Sequence, residues 1–180
     1  IKKLALSKHA FEPEFWKEIL IQIQAKQKSK TKLPTWYQAK NIIYPSTVSI
    51  EQTSSESLAK YKASQLSGNT IIDLTSGLCI DAYYFSERFQ KVIHCEWNTS
   101  LSDLVKHNFE VLNIENVTCV SGDSSEILKK HTDKIDWIYI DPARRDDHQQ
   151  KVFRVEDCTP NVIDDLEMYF DFSDHILIKT

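Results

Sequence analysis

From Gly68 onward the sequence alternates short, unbroken apolar runs with stretches of helical periodicity, and this alternation narrows the possible folds most. The runs are Thr70-Ile71-Ile72-Asp73, Val92 to Glu96, Val117 to Val120, Ile135 to Ile140 and His175 to Lys179. Helices are expected between them: from about Asp81 to Phe89, from a capping-box-like start at Ser100-x-x-Asp103, over Ser124 to Lys130, and near Val162 to Tyr169. In the second of these, Leu101, Leu104, Val105, Asn108 and Leu112 share one face. Continuous apolar strands are buried on both faces, and strands separated by helices are joined by crossovers. The predicted class is therefore α/β, a parallel sheet with helices on both sides. Right-handed crossovers collect all the strand C-termini on one edge, which is where such sheets bind ligands.

Residues 1–66 read as a helical N-terminal extension, and residues 67–180 as the sheet domain. Phe11, Phe15, Ile19 and Ile23 recur every four residues and predict a packing face. Lys26, Lys28, Lys30 and Lys32 read as a solvated helix end, with an RNA-backbone contact as the rival reading. Asn41 to Ile50 reads as extended or turn-like, and Ser54, Ser55 and Glu56 supply capping chemistry for a helix to about Leu66.

Composition removes several classes. No run of 18 apolar residues exists, so no membrane span is expected. Cys79, Cys95, Cys119 and Cys158 form no C-x-x-C pair, and three lie in or beside apolar runs; they read as reduced, buried thiols of a cytoplasmic protein. The six histidines are scattered, so no metal site is expected. With a net charge of -4, binding to a nucleic acid has to use a local patch.

Chemistry concentrates at the strand ends. Asp73, Glu96, Asp123 and Asp141 each end, or closely follow, a different apolar run. Any one acid reads by default as an N-cap of the helix that follows. Four on one edge repel one another unless a ligand with a positive centre and hydrogen-bond donors compensates. S-adenosyl-L-methionine has that form: a sulfonium, an ammonium, a ribose diol and an adenine amine. Glu96 follows Asp73 by 23 residues, close to the spacing of about 20 for an acid that binds a ribose diol. Only three glycines are present, Gly68, Gly77 and Gly122, and Gly77 lies in the first turn after Asp73.

The run Asp73-Leu74-Thr75-Ser76-Gly77, then Glu96, then Gly122-Asp123, then Asp141-Pro142-Ala143-Arg144-Arg145, resembles class I S-adenosylmethionine-dependent methyltransferases. More narrowly it resembles bacterial proteins in which this domain precedes a THUMP-like RNA-binding domain, and the likeness extends upstream through Pro45, Glu51, Ser54-Ser55-Glu56 and Tyr61-Lys62-Ala63. The resemblance implies a Rossmann-like sheet and a methyltransferase of RNA modification. It implies a cofactor role for Asp73, Thr75, Ser76, Gly77, Cys79, Glu96, Trp97, Asp123, Ser124 and Asp141, and a catalytic, substrate-facing role for Asp141 and Pro142. Two departures stand out. The family's first turn usually carries a further glycine where this chain has Cys79, and often another where it has Ser76. The family's sheet has seven strands, so this chain is expected to be truncated after the fifth and to bind cofactor better than it transfers methyl groups.

Asp141-Pro142 is followed by Ala143 and Arg144, where amino-group methyltransferases carry a second proline and an aromatic that stacks the target base. Arg144 and Arg145 suit substrate phosphates or guanidinium stacking, against an even alternative of pairing with Asp146 and Asp147. Cys158, outside a Pro-Cys context, reads as a core or surface thiol. Cys79 is expected on the helix N-terminal turn facing the cofactor, with its thiolate favoured by the helix dipole. Two other functions compete. A nicotinamide-dependent oxidoreductase needs G-x-G-x-x-G, and Thr75 to Ile80 supply one glycine. A non-catalytic cofactor- or RNA-binding module derived from a methyltransferase is favoured by Cys79 and the short sheet, and disfavoured by the four strand-end acids.

Overall fold

The computed structural model describes residues 10–45, 47–75, 77–143 and 154–180. Among them, four helices precede the sheet: α1 (Pro13–Lys32), α2 (Pro34–Gln38), α3 (Thr47–Gln52) and α4 (Glu56–Ser64). Pro13 and Pro34 each sit in a first turn, where the missing N–H leaves no helical hydrogen bond unmade. α1 buries Ala25 and Ser29. Its expected packing stripe is only half used, since Phe11 and Phe15 are 49% and 53% exposed. The 41–50 segment also departs from expectation, because Thr47 opens a helix. Ahead of it, the Tyr44 N–H donates to Gln22 Oε1 (2.9 Å) and Gln22 Nε2 donates to the Tyr44 carbonyl (2.7 Å), so this backbone is satisfied without a partner strand.

The sheet consists of β1 (Thr70–Asp73), β2 (Lys91–Glu96), β3 (Val117–Ser121), β4 (Trp137–Ile140) and β5 (Ile176–Ile178), all parallel, in the order β3-β2-β1-β4-β5. The connecting helices are α5 (Ile80–Ser86), α6 (Thr99–Val111), α7 (Ser124–Lys130) and α8 (Val162–Phe170). This is the α/β, Rossmann-like arrangement expected. The cap of α6 is Asn98, whose side chain accepts from Leu101 N–H at 3.1 Å, and not the Ser100 box. The helix therefore begins two residues early.

Right-handed crossovers put α5 and α6 on one face, because β1, β2 and β3 step one way, and α7 and α8 on the other, because β4 and β5 step back. Two apolar clusters match this division. The first joins Trp36, Ile50, Ala59, Ile71, Phe85, Val92 and Phe109, so the helical extension shares a core with α5, α6 and the sheet. The second joins Ile72, Leu128, Ile138, Val162 and Tyr169. Strand order reverses between β1 and β4, and at such a switch point the turns after the two strands diverge and leave a crevice.

Candidate functional site at the strand ends

The crevice is bounded by the acids that end the central strands. Asp73 closes β1 and Glu96 closes β2, at 3% and 5% exposure. Buried carboxylates need donors, and here three backbone N–H groups and one hydroxyl supply them. Asp73 Oδ1 accepts from Thr75 N–H (3.1 Å) and from Thr75 Oγ1 (3.5 Å). Glu96 Oε2 accepts from Gly77 N–H (3.2 Å) and Oε1 from Asn98 N–H (2.8 Å). Glu96 thus spans the first turn and the start of α6. Gly77 has φ of +114°, and a Cβ added there would meet nothing within 4 Å. The turn is open on that side.

Asp141 follows β4. Its N–H donates to Thr75 Oγ1 at 2.5 Å, so Thr75 joins the acids of β1 and β4. Its Oδ2 accepts from Lys179 Nζ, also at 2.5 Å, just past β5. Burial raises the Asp141 pKa above the ordinary aspartate value, while Lys179 pulls it back. Pro142 is buried and Ala143 exposed, the latter bridged to Thr159.

The other sequence-derived residues fall as follows. Asp123 caps α7, with Oδ1 accepting from Glu126 N–H at 2.9 Å, and Ser124 is the first residue of that helix. Trp97, directly after Glu96, is 84% exposed. Ser76, Arg144 and Arg145 lie outside the described residues, as do Asp146 and Asp147.

Cys79 requires a correction. It stands in the left-handed region (φ 58°) ahead of α5, but its side chain is 4% exposed and belongs to the first apolar cluster. Burial drives its thiol pKa well up, with Cys119 and the acids Asp73 and Asp81 adding to the effect. Desolvation outweighs the helix terminus, so a favoured thiolate is not what this position provides. Cys119 is likewise pushed up to about 11, and none of the four cysteines is in a disulfide. Among the described residues no group of three metal-ligating side chains occurs, and no helix is long and apolar enough to cross a membrane.

Sequence reasoning missed a buried polar cage beneath the crevice. Lys62 Nζ donates to Tyr139 OH (2.6 Å) and Ser54 Oγ (3.0 Å) and pairs with Asp81 Oδ1 (2.6 Å). Ser54 and Tyr139 both donate to Asp81 Oδ2, each at 2.9 Å. All four residues are at most 8% exposed. Burial lowers the Lys62 pKa and Asp81 opposes the change. A signal was present: Ala59, Lys62, Ala63 and Leu66 follow i, i+3, i+4, i+7, which places a lysine on a buried helix face. His94 carried no comparable signal. It is fully buried, edge-on to Phe109, and its Nδ1 lies 3.8 Å from Asp73 Oδ2, beyond hydrogen-bond reach.

Comparison with known proteins bears on the family and the fold. The sequence model of the RNA cap guanine-N2 methyltransferase family matches residues 68–165. A proposed methyltransferase from Porphyromonas gingivalis W83 superposes with a TM-score of 0.82 at 29% identity, over 98% of this chain and 44% of that one. The chain therefore spans less than half the length of that relative. A proposed methyltransferase from Streptococcus mutans, solved in complex with SAH, superposes at 0.50 with 18% identity, over 66% of this chain and 65% of that one. At that identity it shares the fold alone. No curated protein matches the chain.

Proposed function

The chain belongs to the RNA cap guanine-N2 methyltransferase family, and from that premise we propose that it is an S-adenosyl-L-methionine-dependent methyltransferase acting on an amine of RNA. The observation that carries the cofactor reading is the Glu96 carboxylate. An ionised carboxyl offers about four acceptor directions, and two are spent on Gly77 and Asn98 N–H. The remaining two suit a ribose diol, beside a turn that leaves space above Gly77. The donors and the opening thus fit the cofactor.

When bound, S-adenosyl-L-methionine supplies a methyl group already activated on a sulfonium, so the protein's task is alignment. Asp73 would meet the positive amino-acid end across the Thr75 to Cys79 turn. The exposed Trp97 ring would offer an apolar face to the adenine, and the second oxygen of Asp123 would take the adenine amine. Asp141 would accept a hydrogen bond from the acceptor amine and orient its lone pair. Pro142 would hold the backbone after Asp141 extended. Arg144 and Arg145 belong to the same proposal as contacts to RNA phosphates, as does a THUMP-like RNA-binding domain in the longer protein. The four free thiols support a cytoplasmic setting.

Isothermal titration with S-adenosylhomocysteine tests the cofactor reading, and transfer of labelled methyl groups to total RNA tests the acceptor. Glu96→Ala should weaken S-adenosylhomocysteine binding by about 1.5–3 kcal/mol, roughly 10- to 150-fold. Because Glu96 also holds two backbone N–H groups, this variant should lose stability as well. Glu96→Gln, which keeps an acceptor, separates the two effects. A folded wild-type chain that does not bind S-adenosylhomocysteine would remove the reading.

A further inference from the structure

The strand-end site extends onto the helical extension through lysines, and these lysines are not equivalent. Lys62 is engaged inside the cage, donating to Ser54 and Tyr139 and pairing its charge with Asp81. Lys179 gives one to Asp141 and its side chain keeps 22% exposure. Lys32, at the end of α1, gives one to the Glu51 carbonyl at 2.6 Å. Lys28 is one turn back on the same helix face and pairs with the Glu51 carboxylate. Lys179 stands near enough to Lys32 to add to the lowering of its pKa by burial, so the two ammoniums share one patch. In that patch Lys28, Lys32 and Lys179 face two carboxylates, Glu51 and Asp141. Among the described residues, Lys32 and Lys179 keep donors that no acceptor of the protein fills.

We propose that Lys28, Lys32 and Lys179 form a ledge that binds consecutive phosphodiesters of an RNA strand beside Asp141. The helical extension is then a substrate-binding element of the site. The inference rests on the RNA reading above and adds where the strand lies. A polynucleotide that delivers one base amine to Asp141 brings flanking phosphates within reach of the same edge. Lysines suit that role because phosphate contacts position a strand without reading its sequence. A chain of net charge -4 has no global field to do this, so the local surplus matters.

The test is fluorescence anisotropy with a labelled 12-nucleotide single-stranded RNA and the full 180-residue chain, over a series of KCl concentrations. Lys28→Gln/Lys32→Gln should reduce the slope of log K against log salt by about 1.4, two contacts at about 0.7 each, and weaken binding about 10- to 30-fold at 0.1 M KCl. Lys129→Gln/Lys130→Gln makes the same charge change on α7, beside the opposite sheet edge, and should leave the slope unchanged. S-adenosylhomocysteine affinity should be equal in all three proteins. An unchanged slope in the first variant, an equal loss in the second, or no RNA binding by the wild type at low salt each overturns the ledge. Because S-adenosylhomocysteine titration is read separately, intact cofactor binding with a failed ledge leaves the methyltransferase reading standing. Loss of cofactor binding in the wild type fails that reading instead.

Discussion

Lys62→Met removes the cation from a cage whose other members stay in place. The side chains of Lys62 and Asp81 are 9% and 10% exposed, so the substitution leaves a carboxylate buried without its counter-charge. Breaking such a pair from one side costs about 3–5 kcal/mol. The lower end applies here, because Ser54 and Tyr139 still donate to Asp81 Oδ2 and only Oδ1 loses its partner. For a chain of this size, about 3 kcal/mol corresponds to a fall in Tm of about 6–12 °C. Urea unfolding at neutral pH measures it. The double variant Lys62→Met/Asp81→Asn, which removes both charges and keeps an acceptor, should return to within about 1 kcal/mol of wild type. A single variant that loses less than about 1 kcal/mol, or a double no more stable than the single, would refute the argument that the cage is held by charge balance.

Two further predictions concern the opposite edge of the sheet, where Asp136 Oδ2 accepts from Asn69 N–H (2.7 Å) and Thr70 N–H (2.9 Å). Those bonds hold the Asp136 pKa below the ordinary aspartate value, so its stabilisation is present at neutral pH and is lost as the pH falls through that lowered value. Asp136→Ala should cost about 1–2 kcal/mol at pH 7 and progressively less in acid, by urea unfolding. Gly68→Ala should destabilise by about 1–3 kcal/mol, because the new Cβ would stand 2.8 Å from Asp136 Cβ and push that carboxylate off both N–H groups. Hydrogen exchange at Asn69 and Thr70 should rise with it.

The fold was legible where burial dictates composition. Strands covered on both faces must be continuously apolar, and all five were read within about two residues of their ends. Caps were harder. Asn98 and Ser100 both offer capping side chains two residues apart, and the choice falls on Asn98 because Glu96 Oε1 already accepts the Asn98 N–H and fixes the chain there. The extension was least legible. Phe11 and Phe15 have helical spacing, but Phe11 precedes α1 and Phe15 lies on its exposed side, and periodicity reports a face without saying what it meets. The strand-end acids were found because each terminates its own apolar run. The Asp141 partner Lys179, 38 residues away, was not, nor was the cage, whose Lys62 is 77 residues from Tyr139. No local pattern encodes such pairings; only the sheet order places β5 beside β4, and α4 against the same face.

That sheet order also divides the site electrically. At β1 and β2 the acids are held by neutral donors, backbone N–H groups of Thr75, Gly77 and Asn98, which satisfy hydrogen bonds but leave the negative charge in place. At β4 the compensation is ionic: Lys179 faces Asp141, and Lys62 faces Asp81 below it. Moving across the crevice from β2 to β5, the protein therefore goes from uncompensated carboxylates to carboxylates matched or exceeded by ammoniums. The first end suits a ligand that brings its own positive charge. The second suits one that brings negative charge and must still present a neutral amine to Asp141. A dinucleotide pyrophosphate lying across the first turn would place its anion against Asp73 and Glu96, the least favourable position on this edge. The proposed sulfonium cofactor on one side and phosphodiester strand on the other would reverse that sign at both ends.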